Sequence, residues 1–280
     1  MIKVKGLEKR FKENTALNGI NLQINKNEIF GLLGPSGAGK TTLIKILTGQ
    51  MKPCDGQAFV FDHESTSLNK KEYARIGMVL DEQGLYERIT AIQNLYLYAD
   101  IHDIPHVKAV EVIDKIGLSE AKNTPVKKLS KGMKQRLTVG RAILHEPDLL
   151  FLDEPTTGLD PRTMKEIHEL IFSLRKNGTT IFLTTHNMEE ATKLCDRVAL
   201  LDNGIICECG SPQELSKKYD QKKELSITKM DGEKISISNE PVNADLIASL
   251  IRQRELQIIH SSEPSLEEVF IKLTGKKLEE

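Results

Sequence analysis

Apolar residues follow two rhythms along this chain. Near the start, Ile2-Lys3-Val4 and Leu22-Gln23-Ile24 alternate apolar with polar, which predicts strands buried on one face. Four later runs, residues 29–33, 149–152, 180–184 and 198–201, are apolar or threonine-edged throughout and bounded by turn or charged residues. Runs of that kind predict strands buried on both faces. Helical spacing lies between them, so the pattern predicts an α/β domain with a mostly parallel sheet, plus antiparallel strands near the start. From Thr90 to Gly117 only the helical rhythm remains: Thr90 and Gln93 fit a capping box, and VKAVEVIDKIGL repeats apolar residues at helical spacing. This predicts a helical subdomain, about residues 84–146, inserted in a domain spanning residues 1–218. After Tyr219 the charged DQKKE reads as a linker, and residues 219–280 form a small α+β extension. In it Leu225 and Ile227 should face Ile235 and Ile237 across an Asp231-Gly232 turn. A helix over residues 243–256, a strand QIIHS and a last helix capped by Ser265, ending near Gly275, follow.

Composition excludes more than it assigns. The 280 residues suffice for one large domain, or a medium and a small one, with a full core. Lys and Arg total 39 against 40 for Asp and Glu, so no global charge draws the chain to nucleic acid or an anionic membrane. Cys54, Cys195, Cys207 and Cys209 form no C-x-x-C pair and read as reduced thiols. No apolar run reaches the ~18 residues of a membrane span, and MIKVKGLEKRFK has no signal-like apolar region. The expectation is a soluble, cytoplasmic chain.

Chemistry concentrates in a few stretches. Gly34, Pro35, Ser36, Gly37, Ala38, Gly39, Lys40, Thr41 and Thr42 fit G-x-x-x-x-G-K-[ST] between a strand and a helix. The glycines let backbone N–H groups wrap phosphates at a positive helix end, Lys40 neutralises the β and γ phosphates, and the Thr41 hydroxyl can ligate Mg²⁺. A second site follows the apolar run at 149–152, whose end delivers Asp153 and Glu154 to the carboxyl edge of the sheet, where open α/β sheets bind ligands. Asp153 is placed to hold Mg²⁺ and Glu154 to polarise an attacking water. Just before it, Ser130 is a good N-cap and Gly132 lets backbone approach an anion, so the helix starting at Leu129 to Met133 is a second phosphate-binding end.

At LSKGMKQRLTVGRAILHEPDLLFLDEP the chain resembles the ATP-binding cassette ATPases, whose signature reads LSGGQ. Lys131 replaces the middle glycine and Met133 the glutamine. The resemblance covers about residues 1–218 and implies a P-loop NTPase fold and a set of roles. Phe11 resembles the aromatic that stacks on adenine, and Gly158-Leu159-Asp160 the loop that carries an aspartate to a dimer partner. His186 resembles the switch histidine at the γ-phosphate. The family's lining glutamine aligns with Asp81, to which a metal role is carried over, with Gln83 as the substitute if the loop shifts. Residues 84–98 resemble the surface that grips the coupling helices of a membrane partner. The family closes ATP between the phosphate loop of one copy and the signature helix of another, which implies a head-to-tail homodimer with ATP and Mg²⁺ as cofactors. PSLEEVFIKLTGK resembles the closing segment of cassette ATPases in bacitracin- and daunorubicin-resistance exporters. This implies a separate transmembrane permease, drug or antimicrobial peptide efflux, and a place on the inner face of the cell membrane through that permease. The extension would then regulate or dimerise. The alternative, a soluble cassette ATPase of translation or DNA repair, lacks the long coiled coil, zinc module or second cassette those proteins carry, and no nucleic acid is expected.

Overall fold

The computed structural model describes residues 1–80, 84–220, 224–261 and 263–276. The chain folds as two compact units, Met1–Gly210 and Ser211–Lys277.

The first unit holds two sheets. One is antiparallel: β1 (Ile2–Phe11), β2 (Asn14–Ile24), β4 (Asp55–Val60) and β5 (His63–Glu64), in the order β2-β1-β4-β5. The strands β1 and β2 are far longer than the three-residue alternations that announced them. Register shifts between Val4 and Leu7 break the rhythm at Gly6, where φ is +53°, so the pattern fades while pairing continues. Ile2, Val4, Leu17, Ile20 and Ile24 still point into the core.

The other sheet combines β3 (Ile29–Leu33), β6 (Ile76–Val79), β7 (Leu149–Asp153), β8 (Thr180–Thr185), β9 (Arg197–Asp202) and β10 (Ile205–Gly210), in the order β10-β9-β3-β8-β7-β6. All neighbours are parallel except the edge pair of β10 and β9. Every residue of β3, β7 and β8 is buried, as the unalternating apolar runs require. Phe182 of β8 is paired in register with Phe30 and Phe151 on either side, and the rings lie 6.0 and 5.5 Å apart, a rigid aromatic floor for the sheet's centre.

Helix α1 (Lys40–Leu47) follows β3 and the short α2 (Lys70–Tyr73) precedes β6. The insertion between β6 and β7 carries α3 (Ala91–Ile101), α4 (His106–Lys115) and α5 (Lys131–Ile143), with the Thr90–Gln93 capping box closed as expected. α6 (Pro161–Lys176) buries Ile167, Leu170, Ile171 and Leu174, one helical stripe, and α7 (Met188–Leu194) follows β8. Because β3, β8 and β7 are parallel neighbours, Gly34, His186 and Glu154 leave the sheet at one edge: Leu33 is opposite Thr185, and Asp153 opposite Thr184.

The second unit contains α8 (Pro212–Tyr219), β11 (Glu224–Lys229), β12 (Lys234–Ser238), α9 (Ala244–Arg252), β13 (Leu256–Ser261) and α10 (Leu266–Thr274). Its sheet runs β12-β11-β13, antiparallel, with Leu225 opposite Ile237 and Ile227 opposite Ile235 as the hairpin reading expects. The division falls at Gly210, so α8 goes with this unit rather than with the residues before 218. The helix expected over residues 243–256 stops at Arg252. Arg254 turns left-handed at φ +57° and the amides of Arg254 and Glu255 bond back to Ile251 and Leu250, so Leu256 opens a strand instead.

Candidate functional site

The phosphate loop is held in shape from within. Lys40 Nζ donates to the carbonyls of Gly34 at 2.7 Å and Pro35 at 3.0 Å, and the Ala38 amide donates to Pro35 at 3.2 Å. Gly39, the residue before α1, has φ +113°, and a Cβ there would strike the carbonyl of Ala16. Only glycine satisfies both conditions. No side chain caps α1, so its first N–H groups stay available to an anion. Ser36, Gly37, Thr41 and Thr42 line a cavity of about 430 Å³ together with Phe11, Asp153 and Glu154. Phe11 stands at its edge, 44% exposed, with Lys9 Nζ 5.2 Å from the ring centre.

Opposite the loop, Thr41 Oγ1 donates to Asp153 Oδ2 at 2.9 Å, and Thr184 Oγ1 donates to the other oxygen of Asp153. Glu154 follows in a left-handed conformation, φ +47°, uncommon outside glycine and characteristic of functional turns. Its carboxylate meets three groups: Lys40 Nζ at 3.5 Å, Thr157 Oγ1, which donates at 3.0 Å, and His186 Nδ1 at 3.2 Å. The last approach is close enough for charge but off the line a hydrogen bond needs. Partial burial pushes the Glu154 carboxyl up, while Lys40, Thr157 and His186 outweigh it and hold the group below its ordinary value. Glu154 is therefore ionised at neutral pH.

The signature helix end lies outside this cavity lining. Ser130 caps α5, its hydroxyl accepting from the Met133 amide at 3.2 Å. Gly132 is buried against Thr163, whose methyl carbon would lie 2.6 Å from a Cβ there, so α5 sits close on the start of α6. Lys131 reaches over Gly158, where φ is +69° and a side chain would collide with its ammonium. Asp160 accepts from the amides of Arg162 and Thr163 and from the Thr163 hydroxyl at 2.7 Å, so its carboxylate caps α6 within its own chain. Those bonds, that of the Thr163 hydroxyl foremost, hold it below the ordinary aspartate value.

The fold thus brings together Phe11, the phosphate loop, Asp153, Glu154 and His186, and leaves Ser130, Gly132, Met133 and Asp160 at a separate helix end. Asp81 and Gln83, the two readings of the lining position, lie outside the described residues. Sequence reasoning missed Thr157, Thr184 and the cavity walls Asn14 and Ala16. The two threonines that follow the apolar Ile181-Phe182-Leu183 at the end of TIFLTT were the available signal for Thr184.

Known proteins resemble the chain along its length. The sequence pattern described as ABC transporter matches residues 17–157. A fluoroquinolones export ATP-binding protein of Mycobacterium tuberculosis is 38% identical over 99% of this chain and 94% of its own length. The bacitracin transport ATP-binding protein BcrA of Bacillus licheniformis is 41% identical over 74% of this chain and 69% of its own. Among solved structures, a dimeric ATP-binding cassette in a post-hydrolysis state bound to ADP and Pi superimposes with a TM-score of 0.68 at 27% identity, covering 75% of this chain and 98% of that one. With a phosphate loop, an acidic strand end and a histidine on one sheet edge, and with relatives matched along its whole length, the chain belongs to the ABC transporter family and is one of its ATP-hydrolysing cassettes.

Proposed function

We propose that this chain powers a membrane exporter by hydrolysing ATP between two copies of itself. The observation that carries the reading is the contact series Lys40, Glu154, His186 at one sheet edge, beside a phosphate loop whose helix start is uncapped. Lys40 binds the β and γ phosphates, and Phe11 stacks on the base. Glu154 orients the attacking water. The water oxygen bonds to the γ phosphorus, the bond from that phosphorus to the bridging oxygen breaks, ADP leaves with the electron pair, and the water's proton passes to the carboxylate or the phosphate. A carboxylate held below its ordinary pKa is a weak base, so Glu154 acts more by orientation than by full proton abstraction. His186 steadies Glu154 and reaches toward the γ-phosphate.

Thr41 Oγ1 and Asp153 Oδ2 converge at 2.9 Å on the cavity wall, hard oxygen donors that suit Mg²⁺. Magnesium held there would neutralise charge on the phosphate oxygens. Ser130, Gly132 and Met133, outside the cavity of their own chain, supply the second anion-binding helix end to a neighbouring copy, with Asp160 at the same junction. A head-to-tail homodimer gives each ATP both ends. Relatives named for fluoroquinolones export and bacitracin transport support a drug or antimicrobial peptide as cargo and a separate permease that holds the cassette on the inner face of the membrane. Residues 219–280, with α8, serve as a regulatory or dimerising extension.

Glu154→Gln tests the reading: it should bind ATP, lose turnover, and elute as a dimer with ATP on size-exclusion chromatography. An ATP-bound variant that stays monomeric overturns the two-copy site.

A further inference from the structure

Among the described residues, four helices begin with a closed capping box in which the third residue turns back to the N-cap amide. Glu72 bonds the amide of Asn69, Gln93 that of Thr90, Glu214 that of Ser211 and Glu268 that of Ser265. Glu190 holds the same third position in α7, behind the N-cap Asn187. Its side chain does something else. The Asn187 amide is taken instead by Thr185 Oγ1 at 3.0 Å, and the Glu190 side chain is 2% exposed and surrounded by donors. Oε1 accepts from Thr156 Oγ1 at 2.5 Å and from His168 Nε2 at 2.9 Å, and Oε2 accepts from Thr185 Oγ1 at 2.9 Å. An ionised carboxylate only accepts, so His168 carries a proton on Nε2. Burial pushes this carboxyl up, and His168, Thr156 and Thr185 together outweigh it and keep it ionised.

A buried charge diverted from the local bond it could make needs a reason, since its desolvation is costly unless every lone pair finds a donor. The partners supply that reason. Thr156 lies two residues after Glu154 in the loop where Thr157 bonds the Glu154 carboxylate, and Thr185 immediately precedes His186. The geometry points to Glu190 as a positioning residue that clamps the loop carrying Glu154 to the turn carrying His186, and so sets the 3.2 Å approach of those two side chains. This rests on the roles given above to Glu154 and His186. His168 on α6 is the third anchor, linking the clamp to the helix that Asp160 caps. Glu190 is not among the residues lining the cavity. Its effect on the reaction passes through Thr185 and Thr156.

The test uses the full chain with Glu190→Gln, Thr185→Val, both together, and Glu189→Gln as an exposed control on the same helix, paired with Lys193. Glutamine keeps the shape and loses one acceptor. In Glu190→Gln, kcat should fall on the order of tenfold to a hundredfold, the scale of a misplaced catalytic group. The KM and equilibrium binding of ATP should move less than about twofold, because the clamp acts on the chemical step. The double variant should fall no further than the worse single one, since both cut the same link. Parental turnover in Glu190→Gln, losses that multiply in the double variant, or loss of ATP binding by both single variants would overturn the clamp. His186→Ala run beside them separates the two ideas: parental turnover there removes the role of His186, whereas a dead His186→Ala with an active Glu190→Gln removes the clamp alone.

Discussion

The starts of α1 and α5 both offer backbone N–H groups to an anion, and they are built differently. The start of α1 has glycine at its N-cap, which brings no side-chain acceptor, and it stands beside a lysine and an acidic strand end. The start of α5 has Ser130, whose hydroxyl already accepts from the Met133 amide. The first has all its early donors free and a cation at hand. The second has one donor occupied and a lysine, Lys131, that lies over Gly158. On the proposed reading the first binds nucleotide by itself, and the second only completes a site held elsewhere. Binding and completion are therefore separable by mutation.

The largest effect should come from the first helix start. Lys40→Ala removes the cation at the phosphates and should lower turnover by at least a hundredfold, the usual scale for one electrostatic stabiliser, in a phosphate-release assay. Ser130→Ala should lower turnover less, on the order of tenfold, while ATP binding to the monomer is kept; equal loss of both would erase the distinction. A subtler probe acts on the acid. Glu154 sits below its ordinary 4.5 in the free chain, so in the parent the acidic limb of kcat/KM due to it lies below that pH, with activity present above the limb and lost as pH falls through it. Thr157→Val deletes one of the bonds that lower it, so the limb should move upward, read from kcat/KM against pH. Smallest is Ser265→Ala, which removes the capping box of α10. It should cost about 1 kcal/mol of stability, seen in thermal unfolding, with turnover of the chain unchanged, which marks a cap that serves folding alone.

Residues whose roles follow from neighbours in the chain were legible in advance. The phosphate loop is contiguous and fixes its own strand, turn and helix, and Asp153 and Glu154 end an apolar run that could only be an inner strand. Capping boxes at Thr90 and Ser265 are likewise local. Residues whose partners come from other strands were not legible. Thr184 meets Asp153, and Glu190 meets Thr156, across more than thirty positions that only the parallel order of β7 and β8 closes. Glu190 also wore a misleading local pattern, since an Asn followed three residues later by Glu reads as an ordinary cap. The limits of β1 and β2 were hidden for a different reason: bulges shift the face on which side chains emerge, so a strand can continue after its alternation stops.

Phe11 carries a consequence for nucleotide choice. A phenyl ring stacks on any flat base, yet it has no donor or acceptor with which to read the base's edge. On the proposed reading, the grip rests on the triphosphate, held by the loop and Lys40, while Phe11 admits the base for its flatness. Any preference between bases would then fall to the polar walls beside the ring, of which Asn14 carries an amide able to donate and accept.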